Sequence, residues 1–184
     1  MLGAVVDGHH LVTLKELADE AKDGTPLVVR NGWLAAKEIQ ADIRNSILSL
    51  PVEKQKEYES LAEDFILVGD GVLSNYCTEK NIPIRTLSFP DAMAIAVATD
   101  IDAILATDEW PLRLVANSVE LDDGKKSQLF STLNLLKLFE NANKITRIER
   151  IDIVKDWLRS GEKLLKGWEN DYQSIFGELA PTVQ

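Results

Sequence analysis

Residues 88–116, SFPDAMAIAVATDIDAILATDEWPLRLVA, carry the reading that decides the fold. Asp91 opens a run, 92–98, that is apolar on every side and so predicts a helix buried all round. Residues 102–106 then predict a short buried strand, and Asp108 and Glu109 stand where it ends. Pro111 sits in the first turn of a further helix. Carboxylates this close to a core are costly unless a positive charge joins them. The stretch therefore reads as half of an acidic, metal-binding site.

Toward the N-terminus, residues 2–6 form a short apolar run that ends at Asp7-Gly8, a buried strand with a carboxylate at its C-terminal end. Thr13 and Glu16 have the spacing of a capping box. Leu14, Leu17, Ala18 and Ala21 supply the inner stripe of a helix that Asp23-Gly24 stops. Residues 26–30 predict a second extended run. After the turn Asn31-Gly32, the residues Trp33, Ala36, Ile39, Ile43 and Ile47 recur at helical steps, with Glu38 beside the stripe. Pro51 begins a polar helix. Residues 65–68 predict a third strand, with Gly69-Asp70-Gly71 as the turn into a helix holding Leu73, Tyr76 and Cys77. Residues 82–87 predict a loop or edge strand, and 118–121 a last edge strand before the turn Asp122-Asp123-Gly124.

Strands alternating with helices through short turns predict an α/β fold with a central parallel sheet covered on both faces. Beyond Gly124 the pattern becomes helical. Its stripes are Leu129, Leu133 and Leu136, then Ile148, Ile151, Val154 and Leu158, then Leu164, Trp168, Tyr172 and Phe176. Residues 1–124 thus predict an α/β domain and 125–184 a helical extension packed on it.

The chain of 184 residues is 45% hydrophobic, enough for a real core. No run of about 18 apolar residues predicts a membrane span, and no basic segment followed by a long apolar one predicts a signal peptide. One Cys and two His are too few for a structural zinc site. These features predict a cytoplasmic protein with no membrane partner. The net charge of −10 argues against charge-driven nucleic-acid binding. The charge is uneven: residues 125–166 hold ten Lys or Arg and five Asp or Glu, a local +5 that leaves −15 for the rest. A metal site in the body with a basic flank fits this distribution; a solvated helical surface fits it as well.

In open parallel sheets ligands collect outside the C-terminal ends of strands. Asp7 and the pair Asp108-Glu109 end strands there, Asp91 begins the helix that starts at the same rim, and Glu38 can reach it from the second helix. Three or four convergent carboxylates stay ionised only if something positive joins them. A hard divalent cation, Mg²⁺ or Mn²⁺, suits such oxygen donors. Each acid also has a local reading. Asp91 fits the third position of a capping box opened by Ser88, Asp108 an N-cap, Glu38 an exposed helix acid and Asp7-Gly8 a turn. Ser88 and Thr107 either orient the acids or cap helices. His9 and His10 point to opposite sides of an extended chain and do not share one metal. Trp110 and Trp33 read as packing residues, with Trp110 close enough to the rim to stack a base.

Taken in order, Asp7 at a strand end, Glu38 within AAKEIQADI, then LSFPDAMAIAVA and ILATDEWPLRLVA resemble the PIN-domain ribonucleases. Among these the similarity is to the toxins of VapBC-type toxin–antitoxin pairs and to stand-alone PIN proteins. The resemblance covers residues 2–121. The tail STLNLLKLFENANKITRIERIDIVKDWLRSGEKLL resembles the helical extension of one PIN subgroup. It implies a three-layer α/β/α fold, acids around Mg²⁺ or Mn²⁺, hydrolysis of RNA phosphodiester bonds, a homodimer and inhibition by an antitoxin protein. By position, Asp7 matches the first acid, Glu38 the second and Asp91 the third. The last motif, Thr-x-Asp, starts at Thr107 and puts Glu109 at the acid position and Asp108 at the variable one; either can serve. Two departures stand out. Glu109 is one methylene longer than Asp, and His9 replaces the small hydroxyl or amide residue frequent two positions after the first acid.

Two functions are therefore expected as alternatives. The first is a metal-dependent endoribonuclease in which Asp7, Asp91 and Asp108 or Glu109 hold the ion while Glu38 holds a second ion or orients water. The second is a catalytically weakened PIN-fold protein that acts by binding a partner. A phosphatase or receiver-type protein is disfavoured, because the chain lacks a nucleophilic Asp-x-Asp motif and a phosphate-cradling glycine loop.

Overall fold

The structure is a computed structural model that describes residues 2–22, 24–121, 124–161 and 164–183. The expected helix stop at Asp23 and the turn at Asp122-Asp123 lie outside the described residues. A hairpin of β1 (Val5–Val6) and β2 (His9–His10) comes first. Then follow α1 (Lys15–Glu20), α2 (Pro26–Arg30), a 3₁₀ turn at Gly32–Ala35, α3 (Lys37–Asn45), α4 (Val52–Lys80) and α5 (Phe89–Asp100). The second half holds β3 (Ile104–Ala106), α6 (Trp110–Ser118), β4 (Gln128–Phe130), α7 (Thr132–Asn141), α8 (Arg147–Ser160) and α9 (Trp168–Phe176).

The expected central parallel sheet is not there. Among the described residues the molecule is mostly helical, with two separate two-stranded pairings: β1 with β2 antiparallel, and β3 with β4 parallel. One isolated parallel bridge joins Thr13 to Ile47. The three-layer α/β/α expectation is thereby overturned, for reasons that can be named residue by residue.

Residues 65–68 are not a strand but the middle of α4, a helix of 29 residues. Its buried residues are Tyr58, Ala62, Phe65, Gly69, Leu73 and Cys77, spaced by three or four as one helical face requires. The apolar run Phe65-Ile66-Leu67-Val68 looks like a strand only while those flanking positions are ignored. Gly69 does not make a turn. A Cβ placed there would meet Val115 Cγ1 at 3.0 Å and Leu87 Cδ2 at 3.3 Å, so the glycine lets α4 lie close against α6. Residues 26–30 are likewise helical. Pro26 pre-sets the first turn of α2 and the Thr25 hydroxyl accepts from Val28 N at 3.5 Å.

The predicted helix over 33–48 breaks at Ala36, whose ψ of 134° is extended, and Trp33 is 64% exposed rather than inward. Residues 118–121 do not form a strand: α6 runs through Ser118. The strand that pairs with β3 is β4, in a segment expected to be helical. Thr13 does not cap α1; its backbone bonds to the 46–48 segment instead.

The main core is built around α5, as its sequence predicts. Ala92 to Thr99 are buried without interruption. Tyr58, Ala62, Phe65 and Leu73 of α4 pack on it, with Leu112, Val115 and Ala116 of α6 and Leu14 and Leu87 from the loops. A second, smaller cluster joins α7, α8 and α9 through Leu133, Leu136, Val154 and Tyr172. At its centre Arg150 is 2% exposed. Its guanidinium lies 4.0 Å from the Phe176 ring centre, donates to Tyr172 Oη, donates to Glu178 Oε1 at 2.6 Å and pairs with Glu140 at 3.0 Å. Arg147 also donates to Glu178. These two cations hold the Glu178 carboxyl far down, to about 2. Among the described residues no helix is long and apolar enough to cross a membrane.

The two glycines of α4 separate packing from helix propensity. Nothing lies within 4 Å of a Cβ placed on Gly71. Gly71→Ala should stabilise by about 1 kcal/mol through propensity alone. Gly69→Ala should destabilise by about 1 kcal/mol or more, because the stiff, fully buried Val115 must move. Urea midpoints of the two variants should shift in opposite directions.

Candidate acidic site

Ser88 caps α5. Its hydroxyl accepts from Asp91 N at 3.2 Å and donates to Asp91 Oδ2 at 2.7 Å. The reciprocal bond of a full capping box, from the Ser88 amide to the acid, is not formed. Asp91 is thus held in place by one oxygen, with Oδ1 left over.

The segment 107–109 follows β3. Thr107 N donates to Phe130 O at 3.0 Å, extending the register of the parallel pair by one bond. Arg113 of α6 donates to both Thr107 O, at 2.8 Å, and Phe130 O, at 3.0 Å. The Thr107 hydroxyl accepts from Glu109 N at 3.1 Å. Successive residues on this fixed, near-extended segment point to opposite sides. Asp108 turns toward the C-terminal helices: its Oδ1 accepts from Thr132 N at 3.1 Å, and it lines a small cavity with Ser131, Leu133, Leu164, Leu165, Trp168 and Asp171. Glu109 takes the other side of the segment, within electrostatic reach of Asp91 and Glu20.

That juxtaposition is felt in the Glu109 carboxyl. Its pKa is raised, first by desolvation and then by the negative charges of Asp91 and Glu20. The residue as a whole remains exposed. Among the described residues no Lys or Arg forms an ion pair with any of these three acids. The site is a meeting of like charges from α1, α5 and α6.

The other expected ligands, Asp7 and Glu38, belong to the β1–β2 hairpin and to α3. Asp7 is the first residue of the two-residue turn that closes the β1–β2 hairpin, with φ 49° and Gly8 at φ 80°. Positive φ at both positions is what a type I′ hairpin demands, and Asp-Gly supplies it. The Asp-Gly turn thus accounts for the backbone conformation of Asp7. The neighbouring His9 ring lies 6.4 Å from Phe130, which sets the hairpin near the end of β4. Glu38 is exposed in the first turn of α3, where an acid favours the helix dipole. Its helix is tied to α1 by Gln40, whose amide donates to Ala21 O at 2.7 Å and Leu34 O at 2.8 Å.

Glu20 was not among the residues that the sequence suggested. One signal was present: an acid at the C-terminal end of a short helix opposes the helix dipole, which marks it as a residue kept for another reason.

No family model, curated protein or solved structure matches this chain. The site must be judged on its own chemistry. Among the described residues no group of three or more His, Cys, Asp or Glu is disposed to enclose a metal ion. The expected four-acid cage is not assembled. Asp91 and Glu109 do match a smaller requirement: Mg²⁺ is often held by one or two carboxylates and keeps its remaining waters. The donor set is all oxygen and suits a hard ion.

Glu109 should reveal the strain of this arrangement. Its folded pKa is raised, so its contribution favours the fold below the ordinary glutamate range and is lost as pH rises through the folded value. Glu109→Gln should therefore raise the melting temperature at pH 7, and the gain should vanish near pH 4. Melting curves of the two proteins across pH 4–8 test this.

Proposed function

We propose that the chain is a Mg²⁺- or Mn²⁺-dependent ribonuclease that hydrolyses RNA phosphodiester bonds at the Asp91–Glu109 edge. One observation carries the reading: the Glu109 carboxyl feels the negative charges of Asp91 and Glu20, and among the described residues no Lys or Arg forms an ion pair with any of the three. A divalent ion there would neutralise them, draw a phosphate to an otherwise repelling surface and lower the pKa of water. The position supports the same reading, since the 107–109 segment directly follows the C-terminal end of a strand in a parallel pair.

The chain's own residues have separable tasks. Asp91 and Glu109 hold the ion. The Ser88 hydroxyl orients Asp91 through Oδ2 and leaves Oδ1 outward. Thr107 fixes the backbone at Glu109, and Arg113 locks the loop behind it. Glu20, whose charge also reaches Glu109, would be the acid to accept a proton from the attacking water. Asp108 serves the fold by holding the start of α7. The resemblance to PIN-domain toxins makes an antitoxin and a second copy of the chain the partners to look for under this proposal.

A second reading has its own support: a binding protein without catalysis. Asp7 sits in a hairpin turn, Asp108 caps a helix, and no three-acid group is formed among the described residues. Mn²⁺ titration by calorimetry separates the two, since only the nuclease requires saturable binding lost in Asp91→Asn.

Cleavage of a labelled RNA should stop with chelator and return with Mn²⁺. Asp91→Asn and Glu109→Gln should each lower the rate by about a hundred-fold or more with melting unchanged or raised. Cleavage at the wild-type rate in both variants would sink the proposal.

A further inference from the structure

The acidic edge has an aromatic neighbour. Trp110 follows Glu109 directly and begins α6. Its ring meets Tyr76 of α4, with centroids 5.3 Å apart and planes inclined by 37°. Both residues are only partly buried. One turn further along α4, the exposed Lys80 places its Nζ 5.9 Å from the centre of the Tyr76 ring. The aromatic contacts of the C-terminal helices are of a different kind: Trp168, Tyr172 and Phe176 pack together in the second core around Arg150.

We infer that Tyr76 and Trp110 form a stacking platform for a base of single-stranded nucleic acid, with Lys80 beside it for the strand's phosphate. The inference rests on the reading of the Asp91–Glu109 edge as a nuclease site and names what that site takes. A chain of net charge −10 does not gather a polyanion by its overall field. It needs attraction that is independent of net charge, and stacking on aromatic rings supplies it because every base has a π-face. Glu109 precedes Trp110 directly at the start of α6, so the platform and the acidic edge share the same end of that helix. In a duplex the base faces are already stacked on one another, so the platform selects unpaired strands.

Anisotropy of fluorescent oligonucleotides in EDTA, where no cleavage occurs, tests the platform apart from the reaction. The probes are a twelve-residue oligo-U, a twelve-residue oligo-dT and a hairpin duplex. Both single strands should bind and the duplex should not; a preference for oligo-U would assign a contact to the ribose hydroxyl. Trp110→Leu and Tyr76→Leu refill apolar volume without a π-face and should weaken binding by about ten-fold or more each. Tyr76→Phe should bind as wild type, and Lys80→Ala should reduce the salt slope by about 0.7. Melting curves confirm that each variant is folded. Binding that depends on Trp110 and Tyr76 supports the platform even where RNA cleavage fails, and in that case only the reaction is lost. The platform is overturned if the wild-type protein binds no single strand, if the duplex binds equally well, or if both folded Leu variants bind like wild type.

Discussion

The burial of α5 on all sides is the constraint on which the other elements depend. Eight successive residues, Ala92 to Thr99, are withdrawn from water. A helix with no polar face has to be surrounded, and α4, α6 and α1 do so. Alanine at positions 92, 94, 96 and 98 keeps the cylinder thin, so the neighbours come close and small misfits are felt. The one polar residue in the run is satisfied: the Thr99 hydroxyl donates to Ile95 O at 2.7 Å and lies 2.6 Å from Ser127 Oγ. With the cylinder fixed, its first turn and the first turn of α6 are fixed too. Asp91 and Glu109 inherit their positions from this packing and not from any attraction between them.

The C-terminal helices obey a different rule. Their cluster has an arginine at its centre. A buried guanidinium is tolerable only with its charge and its donors matched. Glu140, Glu178, Tyr172 and Phe176 surround it from α7, α9 and the segment after α9. Such a centre favours one arrangement of three helices over others that would strand the charge. Among the polar joints that connect this unit to the main core are those of Asp108 to the start of α7 and of Arg113 to the end of β4. Both joints involve the loop that carries Glu109. The acidic edge is therefore held by the smaller core as well as by the larger one.

The legible part of the sequence was the part where local pattern and burial agree. The uniform apolar run of 92–98 and the short apolar stretch before Thr107 gave α5 and β3. Asp91 and Glu109 could be paired because one opens that helix and the other follows that strand. The failures have physical causes. Phe65 to Val68 is a run of strand-formers, but the buried face from Tyr58 to Cys77 extends across it, and tertiary contact outweighs local preference. Gly69 was read for its backbone freedom when its missing side chain is what matters. Thr25-Pro26 is a helix-start signature hidden inside an apolar run. β4 is three residues long and too short to announce itself. Asp7 follows the local turn chemistry of Asp-Gly, the reading that stood beside that of a strand-end ligand. Glu20 needed a distance, and no spacing in the sequence encodes one.

Cys77 has a consequence of another sort. It is the one thiol in the chain, and it lies fully buried on the inner face of α4. A closed molecule offers it to no reagent, so alkylation waits until α4 comes away from the core. The rate of thiol modification in native buffer is then a clock for that opening, read without any added label. The helix that packs on both α5 and α6 thus carries its own reporter of how often it lets go.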